Sequence, residues 1–170
     1  MLEEIRTFGG SETFSGHGPF SVGVTTRLAS LPEWKQDADF LFVQASFDLE
    51  GLLRWRESLN FDGKIFAGVL VVASQGMAKT LAEATSQIEL PETLLDELTE
   101  DPDAGVDRSC SLMAVIKASG AFDGVHLIPV VGTGALRLDW SGTDGAVVRN
   151  VGNSRRSIPT RYKHQLSIVT

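Results

Sequence analysis

A chain of 170 residues with 42% apolar and 22% charged residues suits one globular domain able to bury a core of its own. Its one cysteine, Cys110, excludes an internal disulfide framework and a thiolate-rich metal site, and fits a reducing, cytoplasmic compartment. The net charge of −7 argues against general nucleic-acid binding; no apolar run approaches the ~20 residues of a membrane span, and the opening MLEEIRTFGGSETF lacks the basic start and apolar centre of a signal peptide.

In chain order, residues 1–19 are a lead-in segment. FSVGVTT (20–26) is β-rich and preceded by Gly and Pro, which predicts a strand. SLPEWKQ has room for a turn or two of helix, with Ser30 as N-cap and Pro32 in the first turn. DFLFVQ (39–44) is a second strand, apolar enough for burial on both faces. DLEGLLRWRESL (48–59) has leucines at helical spacing and Asp48 as its cap.

KIFAGVLVV (64–72) predicts a third buried strand, and SQGMAKTLAEATSQ (74–87) a helix capped by Ser74. PETLLDELTE (91–100) predicts a helix with Pro91 at its first position. DRSCSLMAVIKASG (107–120) predicts another, closed by Gly120. GVHLIPVV (124–131) is a fourth strand. Strands alternating with helices predict an α/β domain over residues 20–131 with a parallel sheet. Residues 132–170 form an extension in which ALRLDW and GAVVRNV make either a hairpin or irregular structure.

Ligands of such sheets sit at the carboxyl ends of strands. Gln44 ends the second strand, so its amide either meets a ligand or ties down its own loop; spacing leaves both open. His17, His126 and His164 are isolated in sequence, which predicts no zinc site, and His126 reads as a core or barrel residue inside its strand. Cys110 in an apolar helix reads as inert. Acids from Glu89 to Asp107 have no basic neighbours, and residues 146–170 hold five Arg or Lys and no acid; solvated surface accounts for both.

Four segments in order, DADFLFVQASFDLEGLLRW, IFAGVLVVASQGMAKTLAE, IELPETLLDEL and GVHLIPV, resemble the second half of the 5,10-methylenetetrahydrofolate reductase family. FSVGV is similar to that family's fifth strand, so the likeness spans about residues 20–130. It implies a partial (β/α)₈ barrel of about four parallel βα units. It also implies flavin-dependent reduction of a folate-type substrate, with FAD as cofactor and NADH or NADPH as donor.

By the same resemblance Gln44 is a pterin-binding residue, Met77 and Leu81 line the folate and nicotinamide site, and Phe47 is an aromatic contact in the loop after the glutamine. A complete barrel needs roughly 250 residues. The first four units, which carry the family's catalytic glutamate and most flavin loops, have no counterpart here. The expectation is therefore a chain inactive in isolation, completed as a homo-oligomer or by a chain supplying the missing half. The alternative is a non-catalytic folate-binding module or a degenerate barrel fragment.

Overall fold

The computed structural model describes residues 2–14, 16, 20–84, 88–129, 136–140 and 146–150. His17, His164, the predicted helix beyond residue 84 and the basic stretch after residue 150 lie outside these residues.

Among the described residues the fold is α/β, with a four-stranded parallel sheet and five α-helices. Strands β1 (Gly23–Thr26), β2 (Phe40–Val43), β3 (Lys64–Val71) and β4 (Gly124–Pro129) are adjacent in chain order. Their registers pair Thr25 with Phe42, Phe42 with Phe66, and Gly68 with His126. Helix α2 (Leu49–Ser58) joins β2 to β3, and α3 (Gln75–Ala84), α4 (Leu94–Glu100) and α5 (Ala104–Ser119) join β3 to β4.

Strand alternation sorts the side chains. Leu41, Val43, Ile65, Ala67, Val69, Val71, Val125 and Leu127 share one core with Leu52 and Trp55 of α2 and with Met113 and Ile116 of α5. The opposite face carries Phe40, Phe42, Phe66 and His126, whose rings touch one another. Phe42 lies 5.6 Å from Phe66 and 4.4 Å from His126, centroid to centroid. The sequence reading of β2 as buried on both faces needs correction: Leu41 and Val43 are buried, but Phe40 and Phe42 are only half-buried. Among the described residues these rings cover each other and no helix lies over them.

Local chemistry explains the helix ends. Asp48 caps α2 as expected, its Oδ1 accepting from the Gly51 N–H at 2.9 Å. Ser74 Oγ accepts from the Met77 N–H at 3.2 Å, and Gly120 closes α5 with a left-handed φ of 63°. Three expectations shift. Pro32, not Ser30, occupies the N-cap of a single 3₁₀ turn, Glu33–Lys35. Pro91 precedes α4 in a turn, with Thr93 at the N-cap. Helix α5 begins at Ala104 rather than residue 107, because Gly105, a poor helix former, is placed where a Cβ would overlap the Val72 carbonyl oxygen. Close approach of α5 to β3, not helix propensity, selects that glycine.

The lead-in holds an unpredicted helix, α1 (Leu2–Gly9). Its Arg6 donates to the Asp37 carbonyl and pairs with Asp39 Oδ1 at 3.1 Å. The Asp39 carboxylate also accepts from the Val22 N–H at 2.6 Å, joining α1 to the amino ends of β1 and β2. ALRLDW and GAVVRNV contain β5 (Leu136–Trp140) and β6 (Ala146–Asn150), an antiparallel pair, which is the hairpin alternative.

The Val22 N–H, and then Arg6, hold Asp39 below the ordinary carboxylate range. A carboxyl depressed in the folded state contributes stability above its unfolded pKa and loses it as pH falls through the folded value. Asp39→Asn should therefore flatten the loss of stability seen below about pH 4 in acid titrations followed by circular dichroism. The effect should be small, because the side chain is 43% exposed and solvent screens it. Equal acid slopes in the two proteins would remove Asp39 from the account.

Candidate functional site

Sheet geometry places a cleft of about 510 Å³ over the carboxyl ends of β1 and β2, extending along the aromatic face to β4. Phe42, His126 and Ile128 supply its apolar wall, and Gln44, Thr25, Thr26, Arg27, Ser30 and Lys35 its polar rim. Gln44 follows β2 directly. Its backbone N–H donates to the Thr26 carbonyl at 2.8 Å, extending the β1–β2 ladder by one step before the chain turns away. This explains why the apolar strand ends on an amide: the side chain stands at the mouth of the sheet, where the next residues leave for α2.

Two long-range bonds shape the rim. The Trp55 indole N–H on α2 donates to the Ala29 carbonyl at 2.8 Å, holding the loop after β1 against the helix. Lys35 Nζ donates to the Thr25 carbonyl at 2.6 Å, folding the 3₁₀ turn back over the end of β1. Gly68 lies beneath. A Cβ at that position would overlap the Val43 carbonyl and stand 2.7 Å from the Ala45 nitrogen, so the glycine lets β3 approach the segment that carries Gln44.

Among the described residues no carboxylate lines the cleft, although the chain carries a net charge of −7. The acids gather elsewhere. Asp101 and Asp103 flank Asp107, whose carboxyl is pushed up first by burial and then by those two charges. Arg108 pairs with Glu97 at 2.7 Å. Glu97 is held low by the Thr93 hydroxyl and then by Arg108. The cleft is thus a locally cationic to neutral pocket, with one planar amide and two rings in contact.

The residues implied by resemblance fall in different places. Gln44 lines the cleft. Met77 is 7% exposed and sits in the core on α3, and Leu81, one turn further, packs partly buried against the same core. Phe47 is half-buried against that core from the loop before α2. None of the three is a lining residue of the cleft. The Cys110 thiol is half-buried and pushed up, first by burial and then by Asp107, which lowers its thiolate content.

Phe42 is not singled out by the sequence and His126 reads there as a core or barrel residue; both wall the cleft. Period-2 alternation was the available signal: it puts Phe42 on the same side of β2 as Gln44. That His126 meets Phe42 depends on register across two intervening strand pairs, which no local pattern encodes. No family model matches this chain, and no curated protein matches it.

Proposed function

We propose that this chain is a methylenetetrahydrofolate reductase-related half barrel that binds a folate-type ligand in the cleft at Gln44. The observation that carries this reading is the position of Gln44 at the carboxyl end of β2, beside the Phe42 and His126 rings. A pterin is flat and presents donors and acceptors on one edge. A glutamine amide donates and accepts at once, and stacked rings hold a flat heterocycle by its faces. The rim with Arg27 and Lys35 and without acids suits the carboxylates of the glutamate tail. A TIM-type barrel, with its ligand at the strand ends, accounts for parallel strands in chain order.

The fit to FAD is poor. The loop after β1 leads to a three-residue 3₁₀ turn with Pro32 at its N-cap, so it offers no row of N–H donors for a pyrophosphate. We therefore derive no hydride step through the flavin, and assign this chain the binding and orientation of the folate. Reduction with NADH or NADPH as donor would need a flavin wall and a general acid in addition to the residues assigned here.

Gln44→Ala should weaken binding of 5-methyltetrahydrofolate by roughly threefold to tenfold, the equivalent of a hydrogen bond of about 0.5–1.5 kcal/mol. Calorimetric titration of both proteins, beside their thermal melts, tests this. A lower melting temperature with unaltered affinity would make Gln44 a loop tie instead.

A further inference from the structure

Among the described residues the four-stranded sheet has two edges: β1 pairs with β2 alone and β4 with β3 alone. Free edges of soluble proteins are usually guarded by charges, bulges or an interior proline. Here β1 reads GVTT and β4 reads GVHLIP, with no charged side chain and proline only at the last position. Lys64, at the amino end of β3, is the one formally charged residue in the four strands. Among the described residues the aromatic face they carry is helix-free and, that lysine apart, uncharged. On a chain of net charge −7, two copies can meet across such a face with little like-charge repulsion.

We infer that two copies of this chain close on each other through this face and both edges, about a twofold axis running along the strands. The inference rests on the half-barrel reading above and names its partner. Such an axis preserves strand direction, so β4 of each copy lies parallel beside β1 of the other. The strand order then runs 1-2-3-4-1-2-3-4 around a closed barrel, with the helices outside and the Phe42 and His126 rings inside. A foreign partner would have to offer two unguarded parallel edges at the same separation, with an uncharged face between them. A second copy meets those conditions by construction, and twofold closure is the commonest symmetry of homo-oligomers.

The area is adequate only with the edges included. Strands of about six residues, four abreast, give a flat projection on the order of 400 Å² per copy. A standard interface takes roughly 800 Å² per partner, which leaves the two edge ladders and the strand-end loops to contribute the rest. Closure would also complete the site, since the partner's strand ends form the wall facing Gln44.

Light scattering coupled to size exclusion at tens of micromolar tests this on the full chain. The expected mass is twice the 18.3 kDa of one chain. Thr25 is exposed on edge strand β1, and T25K places a cation at both seams; it should weaken the dimer by at least about tenfold. I128K on β4 should do the same from the other edge, and Val115→Glu on the outer surface of α5 should not. Circular dichroism at wild-type strength establishes that the variants are folded. A wild-type mass of one chain overturns the inference, as does a dimer lost in V115E but kept in T25K and I128K. A monomer that binds folate overturns this inference alone, and a dimer that binds none overturns the ligand reading alone.

Discussion

Gly68→Ala is expected to lower stability by about 1–3 kcal/mol, the range for forcing an extra methyl into a packed site. For a chain of this length that is about 2–4 °C of melting temperature per kcal/mol. Gly68 lies in mid-β3, and an added Cβ would overlap the Val43 carbonyl, approach Ala45 N to 2.7 Å and the Gln44 carbonyl carbon to 3.0 Å. All three are backbone atoms, so no rotamer change relieves the contact and the end of β2 must move as a unit. That segment carries Gln44 at the cleft. Affinity for 5-methyltetrahydrofolate should therefore fall further than in Gln44→Ala, which removes one amide and leaves the backbone in place. An alanine variant with the wild-type melting temperature would show that β2 and β3 are not in the close register described.

A second glycine gives a prediction whose sign is diagnostic. Gly105 is inside α5, where alanine is intrinsically favoured by about 1 kcal/mol. If the position were an ordinary helical one, Gly105→Ala would stabilise the protein. Yet a Cβ here would overlap the Val72 carbonyl oxygen and lie 3.3 Å from Leu98 Cδ2, with β3 on one side and α4 on the other. Two turns of α5 are further held by the buried Ser109, whose hydroxyl bonds the Leu70 carbonyl at 3.0 Å and the Gly105 carbonyl at 2.8 Å. Moving α5 outward stretches the first bond and opens the core around Val106 and Met113. Overpacking of about 1–3 kcal/mol outweighs the propensity gain, so chemical denaturation should show a net loss of stability. A net gain would mean that α5 rides further from the sheet.

The parallel core was legible because short, near-continuous apolar runs gave β2, β3 and β4, leucines at helical spacing with Asp48 gave α2, and Gly120 gave the end of α5. What stayed hidden depended on contacts distant in sequence. LEEIRTFG is too short to announce α1 on its own; Asp39, some thirty residues away, anchors it through Arg6. The start of α5 was misplaced because Gly105 argues locally against helix while tertiary packing requires it. The cleft was half legible: Gln44 stood out as a polar residue closing an apolar strand. Phe42 and His126 did not, because a phenylalanine in a strand signals core whichever face it takes, and the face follows from register.

The most direct measurement is a heteronuclear NMR titration of the labelled protein with 5-methyltetrahydrofolate, with the Gln44 side-chain amide assigned by its absence in Gln44→Ala. A second hollow of about 600 Å³, between α1 and Trp34 and lined by Leu2, Glu3, Arg6 and Asp37, provides an internal comparison. The account predicts saturable shifts of the Gln44 amide together with ring resonances of Phe42 and His126, while the Trp34 indole stays in place. Saturable shifts at Trp34 with the Gln44 amide unmoved, or no saturable shift anywhere, would contradict the assignment of the strand-end cleft as a folate site.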